Sequence, residues 1–391
     1  MTSVKAMIAH LTSVHRPDDV RVFQKECVSL RQHGLDVVLI APSNEPVANT
    51  HGVRLDLLKK RRSRLLRFTV TVAEVVRRAL AYDAEVYHIH DSELLPAGLL
   101  LRLLGKKVIY DVHEDLAKQT LHRTWLPRWS RRPVAWLVDA MESMISRRLT
   151  AVVAATDSIA GKFDKVPTIT VKNFPRQRLP QLVAEGEPAS PACFVYAGSI
   201  SQTRGMIEMA AAVNLLSPKH VPKLLIAGDV PGALAEQIAR VDKLQRVKLL
   251  GWLPNQQIEQ LLASATAGLV TLHPTPAYLD SLPIKMFEYM AAGLPVIASD
   301  FPMWKEYVEG CGAGLMVDPL DPHAIAEAMQ HMIDHPLQAK AMGKRGEASV
   351  RRTFNWECEE AKLVALYASI LQTPLAAEGS YELDVLETSA A

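Results

Sequence analysis

Short apolar runs alternate with longer amphipathic stretches along almost the whole chain, and this rhythm constrains the fold more than any other feature. Runs suited to strands occur at Ala6–Leu11, Asp36–Ile40, Val86–Ile89, Lys107–Val112, Ala151–Ala155 and Thr168–Val171, with helical patterns such as Val22–His33 and Leu94–Leu104 between them. Strands that alternate with helices predict βαβ units and a parallel sheet. The rhythm restarts after the Pro-rich stretch Pro175–Pro191, with strands expected at Cys193–Tyr196, Lys223–Ala227, Val247–Leu250, Gly268–Leu272 and Val296–Ala298. The expectation is two doubly wound α/β domains. The first covers 1–172, a linker 173–191, the second 192–353, a closing helix 354–372 and a disordered acidic tail 373–391.

Composition fits such domains, at 49% hydrophobic and 22% charged residues. The four cysteines, Cys27, Cys193, Cys311 and Cys358, lie far apart without CxxC spacing, which argues for reduced thiols rather than disulfides or a zinc site. The N-terminal apolar run is too short for a signal peptide, and no run reaches the roughly 18 uncharged apolar residues of a membrane span. A cytoplasmic protein is expected, at most resting on the inner face of the plasma membrane. The formal charge of +2 hides a division. Residues 1–172 carry 27 basic and 18 acidic side chains, the remainder 17 and 24. No overall field favours nucleic acid, and none is expected as a partner.

Open parallel sheets bind ligands at the carboxyl ends of their strands, so residues just after strands are the functional candidates. The most informative segment runs from Asp280 to Asp300. Polar residues and Pro283 precede a helix of about ten residues that Gly293 ends, and Leu294–Ala298 forms a buried strand. Backbone amides near Leu282–Ile284 would form an anion site at the helix N-terminus. Lys285 and Glu288, three apart, share a helix face. The cation suits a phosphate and the carboxylate suits two ribose hydroxyls, although a capped surface helix would show the same pair.

The segment resembles the donor-binding signature of the family 4 glycosyltransferases: a carboxylate, seven residues, a Glu, then Ala-x-Gly-x-Pro-Val-Ile. Glu288 and Ala292–Ile297 match it, and Asp280 stands where the family usually has Glu. Phe194–Gly205 is similar to the family's diphosphate-gripping element. There Gly198 matches, Arg204 takes the Lys position and Ser199 replaces an Arg, leaving Lys285 to supply the missing cation. Leu250–Pro254, with Gly251 and Trp252, resembles the loop that reads the base. Val171–Pro175 resembles the hinge and Phe354–Glu357 the start of the closing helix. The resemblance implies a GT-B fold, two Rossmann-like domains facing a central cleft with the last helix crossing back to the first. It implies a retaining, metal-independent hexosyltransferase without cofactor, using a UDP- or GDP-sugar as donor substrate. The acceptor would be a saccharide, lipid-linked, in cell-surface polysaccharide synthesis.

In the N-terminal half, Tyr87–Glu93 and Tyr110–Asp115 end two strands. His88 and His90 fall on one strand face, and with His113, Asp91 and Glu114 they imitate a metal site, but no metal is expected. His113 matches the family His that reaches the transferred sugar, and with Asp280 it is the expected catalytic residue, while His90 shapes the floor of the acceptor site. The loop Thr12–Arg21 resembles a subset with Ser-Val-His-x-Pro-x-Asp-x-Arg. Its His15, Arg16, Asp19 and Arg21 would touch acceptor, or else pair among themselves in an ordinary βα loop. Basic Lys59–Arg67 and the Arg/Trp segment His122–Trp136 suit an anionic membrane surface, or else solvated helix faces. Two rivals remain: a nucleotide-sugar epimerase of the same fold and a non-catalytic nucleotide-sugar-binding protein. The lack of GxGxxG after the first strand and of GxxxxGK[ST] disfavours dehydrogenases and P-loop enzymes.

Overall fold

The computed structural model describes residues 6–45, 49–61, 63, 67–122, 126–177, 192–217 and 221–375. Most of the expected linker and of the acidic tail, parts of the Lys59–Arg67 block and residues 123–125 of the Arg/Trp segment lie outside the described residues. The chain divides into two compact units, one running to Lys172 and resuming at Glu360, the other Asn173–Glu359.

The first unit is built on seven parallel strands: β1 Met7–Leu11, β2 Asp36–Pro42, β3 Arg54–Leu58, β4 Val86–Ile89, β5 Lys107–Val112, β6 Ala151–Ala154 and β7 Thr168–Thr170. Their order is β3-β2-β1-β4-β5-β6-β7. The second unit has β8 Cys193–Ala197, β9 Lys223–Ala227, β10 Val247–Gly251, β11 Ala267–Val270, β12 Val296–Ser299 and β13 Gly314–Val317. They pair as β10-β9-β8-β11-β12-β13, again parallel. Strands covered on both faces must be apolar throughout, and β4, β6, β11 and β12 are buried at every residue.

Two strands were not expected. β3 reads Arg-Leu-Asp-Leu-Leu and lies at the sheet edge, where one exposed side tolerates charge. β13 has four residues and is recognisable only from its pairing with β12. The expected helix Val22–His33 also differs. Val20–Cys27 is π-helical and only Val28–Gln32 is α-helical. Asp19 caps the segment by accepting from the amides of Arg21 and Val22. A π-turn stacks residues five apart, which places Arg21 and Glu26 together inside the unit.

The last helix, Trp356–Leu371, begins in the second unit, where the Trp356 amide donates to the Pro175 carbonyl at 2.8 Å. From Glu360 onward it belongs to the first unit. There the Lys107 ammonium donates to the Ile370 carbonyl at 2.8 Å, and Leu363 and Tyr367 are fully buried. No helix among the described residues is long and apolar enough to cross a membrane.

Candidate active site

In the second sheet the strand order reverses between β8 and β11, the place where doubly wound sheets hold ligands. The turn after β8 contains Gly198 at φ +149°, and a Cβ there would stand 3.0 Å from Lys285 Cε. Its carbonyl is approached as closely on the other side, since a Cβ on Gly228 would fall 2.1 Å from it. Glycine at 198 lets Lys285 lie across the turn, and glycine at 228 lets the backbone after β9 approach that turn. Lys285 Nζ donates to Glu288 Oε2 at 2.7 Å, and the two side chains are 31% and 37% exposed.

Helix Ile284–Ala291 holds this pair because its other side is locked into the core. Met286, Phe287, Tyr289 and Met290 are buried, each contributing about 2 kcal/mol of apolar burial. The Tyr289 hydroxyl accepts from the Ala197 amide at 2.8 Å, fixing the helix against the end of β8. Before the helix, Trp304 Nε1 donates to the Ser281 carbonyl at 2.8 Å, which steadies the segment through Leu282 and the N-cap Pro283. The first-turn amides of Ile284 and Lys285 have no carbonyl to bond within the helix, and the helix dipole adds positive potential there.

Arg204 ends a 3-10 turn, donates to the Tyr196 hydroxyl at 3.2 Å and lies 5.7 Å from the Tyr278 ring centre. Tyr196 donates onward to the Ser199 carbonyl at 2.7 Å. Gly251, at φ +69°, accepts from the Gly228 amide at 2.7 Å, which brings the end of β10 beside that of β9. Trp252 next to it is exposed. Asp280 is half-buried at the end of the short helix Pro276–Leu279.

In the first sheet the order reverses between β1 and β4. The loop after β1 is tied to Asp91 after β4. Asp91 Oδ2 accepts from Thr12 Oγ1 at 2.7 Å and from the Ser13 amide at 2.6 Å, and Oδ1 lies 3.1 Å from His15 Nδ1. Burial opposes this charge, but His15, Thr12 and Ser13 hold the Asp91 carboxyl down to about 2. Glu93 is gripped by Arg67 through two nitrogens. The His15 ring stands 4.8 Å from that of His113.

His113 follows β5, with Nε2 2.8 Å from Asp111 Oδ2, a close contact slightly out of line for a full hydrogen bond. Asp111 is buried and takes two bonds from Arg21, Nε to Oδ2 at 3.1 Å and Nη2 to Oδ1 at 2.7 Å. Arg21 Nη1 donates to the Val171 carbonyl at 2.8 Å, and Nε lies 3.1 Å from Glu26 Oε1. Arg21 was expected at the acceptor; instead it is a buried strut beneath the loop, its guanidinium committed to Asp111, Glu26 and Val171. Asp19 is committed to its cap, and Arg16 is exposed and chelates Asp18. His90 is buried, with Nδ1 3.2 Å from Asp111 Oδ2.

Burial and the neighbouring Asp111 push the Glu26 carboxyl well up, with Arg21 opposing them. Burial works the same way on Asp111, but Arg21 and His113 outweigh it and keep that carboxylate ionised. Burial above all keeps His10, His88 and His90 low, hence neutral near pH 7; repulsion from His90 adds to it for His10 and His88, while Asp111 partly offsets it for His90. Two groups have the donor types of a divalent transition metal: His10, Glu26, His88 and His90, with ligand atoms within 4.8 Å, and His90, Asp111 and His113. Most of these atoms already serve one another or Arg21.

Asp111, Glu26, His10 and Tyr367 were absent from the sequence candidates. The available signal was an ionisable residue inside an apolar strand, Asp111 within Lys107–Val112 and His10 within Met7–Leu11.

Residues 20–166 match the family model described as Glycosyl transferase 4-like domain, and residues 191–335 the one described as Glycosyl transferases group 1, together covering most of the chain. The D-rhamnosyltransferase WbpZ of Pseudomonas aeruginosa is 24% identical over 346 residues, spanning 84% of this chain and 86% of that one. The structure of sucrose-phosphate synthase from Thermosynechococcus elongatus superposes with a TM-score of 0.76 at 20% identity, covering 94% of this chain and all of that one (100%). Anabaena HepE in complex with UDP and glucose gives a TM-score of 0.70 at 16% identity over 93% and 100% of the two chains. With two parallel sheets of the GT-B type and both family models matched in order, the chain is a glycosyltransferase that belongs to group 1, with a 4-like domain at its N-terminus.

Proposed function

We propose that this glycosyltransferase moves a hexose from a UDP- or GDP-sugar to a hydroxyl of a lipid-linked saccharide, with retention of anomeric configuration, in cell-surface polysaccharide synthesis. The observation that carries the reading is the Lys285–Glu288 pair laid across Gly198 at the start of helix Ile284–Ala291. A nucleoside diphosphate needs positive charge for its phosphates and an acceptor for its ribose hydroxyls. Glu288 turns to two ribose hydroxyls, which frees Lys285 for the diphosphate. Arg204 and the amides of Ile284 and Lys285 add to it, so the leaving group's growing charge is met by fixed cations and dipoles. Gly251 and Trp252 would meet the base.

His113 presents Nε2 to Asp111, which leaves Nδ1 to accept from a hydroxyl of the transferred sugar, and Asp280 takes another. The bond from the anomeric carbon to the phosphate oxygen breaks while the bond to the acceptor oxygen forms on the same face. The acceptor's proton passes to the departing phosphate. The relative named for rhamnosyl transfer and the fold neighbour titled with UDP and glucose favour this donor class. His15 and Arg16, on the loop beside His113, are the acceptor candidates.

Helix Arg128–Ser146 favours an acceptor at a membrane. Trp129 and Trp136 are 82% and 72% exposed, with Leu137, Met141 and Met144 also exposed and Arg128, Arg131 and Arg132 beside them. Apolar side chains among arginines fit an anionic bilayer surface.

A thermal-shift panel of UDP- and GDP-sugars tests the donor, because a ligand that binds only the folded state raises the melting temperature. One nucleotide series should stabilise the protein, and Glu288→Ala should lose the effect. No shift with any nucleotide sugar would remove the reading.

A further inference from the structure

Behind His113, four elements of the first unit bring buried polar side chains into one row. β1 supplies His10, β4 and the residue after it supply His88 and His90, β5 supplies Asp111 and helix Trp356–Leu371 supplies Tyr367. Their hydrogen bonds dictate where the protons sit. Asp111 is ionised and can only accept, so His90 donates from Nδ1 at 3.2 Å and keeps a lone pair on Nε2. His10 must then donate from Nδ1 to that lone pair, at 2.9 Å, and keep its own on Nε2. The Tyr367 oxygen lies 3.5 Å from His10 Nε2 and 2.9 Å from His88 Nδ1. If it donates to His10 and accepts from His88, then His88 Nε2 alone, of the polar atoms of these five side chains, is left without a partner among the described residues, as observed. The opposite polarity would strand a second nitrogen, on His10. The rings are stacked or tilted on one another, with centroids 4.6 Å apart for His88 and His90, 5.1 Å for His10 and His90 and 4.8 Å for His10 and His88. The far end of the row is Asp111 Oδ2, the same oxygen that meets His113 Nε2.

We propose that Tyr367 is a positioning residue for sugar transfer: its hydroxyl anchors the tail of the row by bonding His10 and His88, and the anchored rings hold Asp111 aimed at His113. The C-terminal helix thereby reports its seating on the first unit to the residue that meets the sugar. A phenylalanine would fill the same space, and a buried hydroxyl is costly unless it is used. The proposal rests on His113 as the sugar contact, whereas the ring-proton measurement below does not.

The test compares full-length Tyr367→Phe with Tyr87→Phe. Tyr87 is an equally buried tyrosine of the same unit whose hydroxyl bonds the Ala84 amide and the Ala79 carbonyl, both away from the row. In the wild type, imidazole nitrogen NMR should show His10 and His90 as neutral Nδ1–H tautomers. Tyr367→Phe should disturb the His10, His90 and His113 ring signals and lower kcat about 10- to 100-fold at unchanged donor affinity. Tyr87→Phe should lose a comparable melting temperature with neither effect. An Nε2–H tautomer at His10 or His90 would overturn the proposal. So would stoichiometric Zn2+ uptake by the histidines, or equal turnover and unmoved His113 signals in the two variants.

Discussion

Replacing Arg21 by methionine should destabilise the first unit more than any truncation on its surface. The guanidinium makes three hydrogen bonds, two to Asp111 and one to the Val171 carbonyl, and contacts Glu26, all out of water. Methionine fills much of the space but leaves the Asp111 carboxylate without its cation. Breaking one side of a buried pair costs about 3–5 kcal/mol. For a unit of this size that is a melting temperature lower by roughly 10 °C, at about 2–4 °C per kcal/mol. The sign with pH follows from Asp111. In the wild type its carboxyl is held low, so it stabilises the fold above its unfolded pKa and that stability is lost as pH falls. In Arg21→Met the same carboxyl is raised, so the gap between variant and wild type should narrow on acidification. Differential scanning calorimetry from pH 7.5 down to 3, through the unfolded carboxylate range, would measure it. Adding Asp111→Asn should recover part of the loss, because the orphaned charge is gone. A melting temperature within about 2 °C of wild type, or a double variant no better than the single one, would refute the reasoning.

Three further outcomes follow. Lys285→Ala should weaken nucleotide-sugar binding about tenfold to a hundredfold in isothermal titration, as expected for losing a charge-assisted bond, with the melting temperature little changed because Lys285 is partly exposed. Asp91, held at about 2 by His15, Thr12 and Ser13, stabilises the fold above pH 4 by about 2 kcal/mol. Asp91→Asn should therefore melt lower at pH 7, with the difference fading as pH falls from 4 to 2. Changing Trp129 and Trp136 to serine should abolish flotation with anionic vesicles while leaving donor binding intact, since both rings are exposed.

How much of this was readable from the residue order depends on the distance over which each feature is determined. The buried strands were legible because a strand covered on both faces must be apolar throughout, as β4, β6 and β12 are. Arg54–Leu58 was not, because an edge position permits the charges that disguise it. Lys285 and Glu288 were legible as a pair, since three residues along a helix fix their common face. The π-turn at Val20–Cys27 was hidden: eight residues are too few to separate its period from that of an α-helix, so Arg21 was placed outward when it points inward. The row behind His113 was beyond reach for another reason. Asp111 lies 90 residues from Arg21, and Tyr367 lies 279 from His88. Only the strand order β1-β4-β5 and the returning helix bring them together.

The central claim is that the polar face of helix Ile284–Ala291 seats a nucleotide-diphosphate sugar for transfer. Nucleoside diphosphate released from UDP- and GDP-sugars, with a lipid-linked saccharide present and absent, measures it most directly. The account predicts acceptor-dependent release from one nucleotide series, falling about tenfold to a hundredfold in Glu288→Gln, about the value of one charge-assisted contact. Release that is unchanged in Glu288→Gln, or absent with every nucleotide sugar, would contradict it.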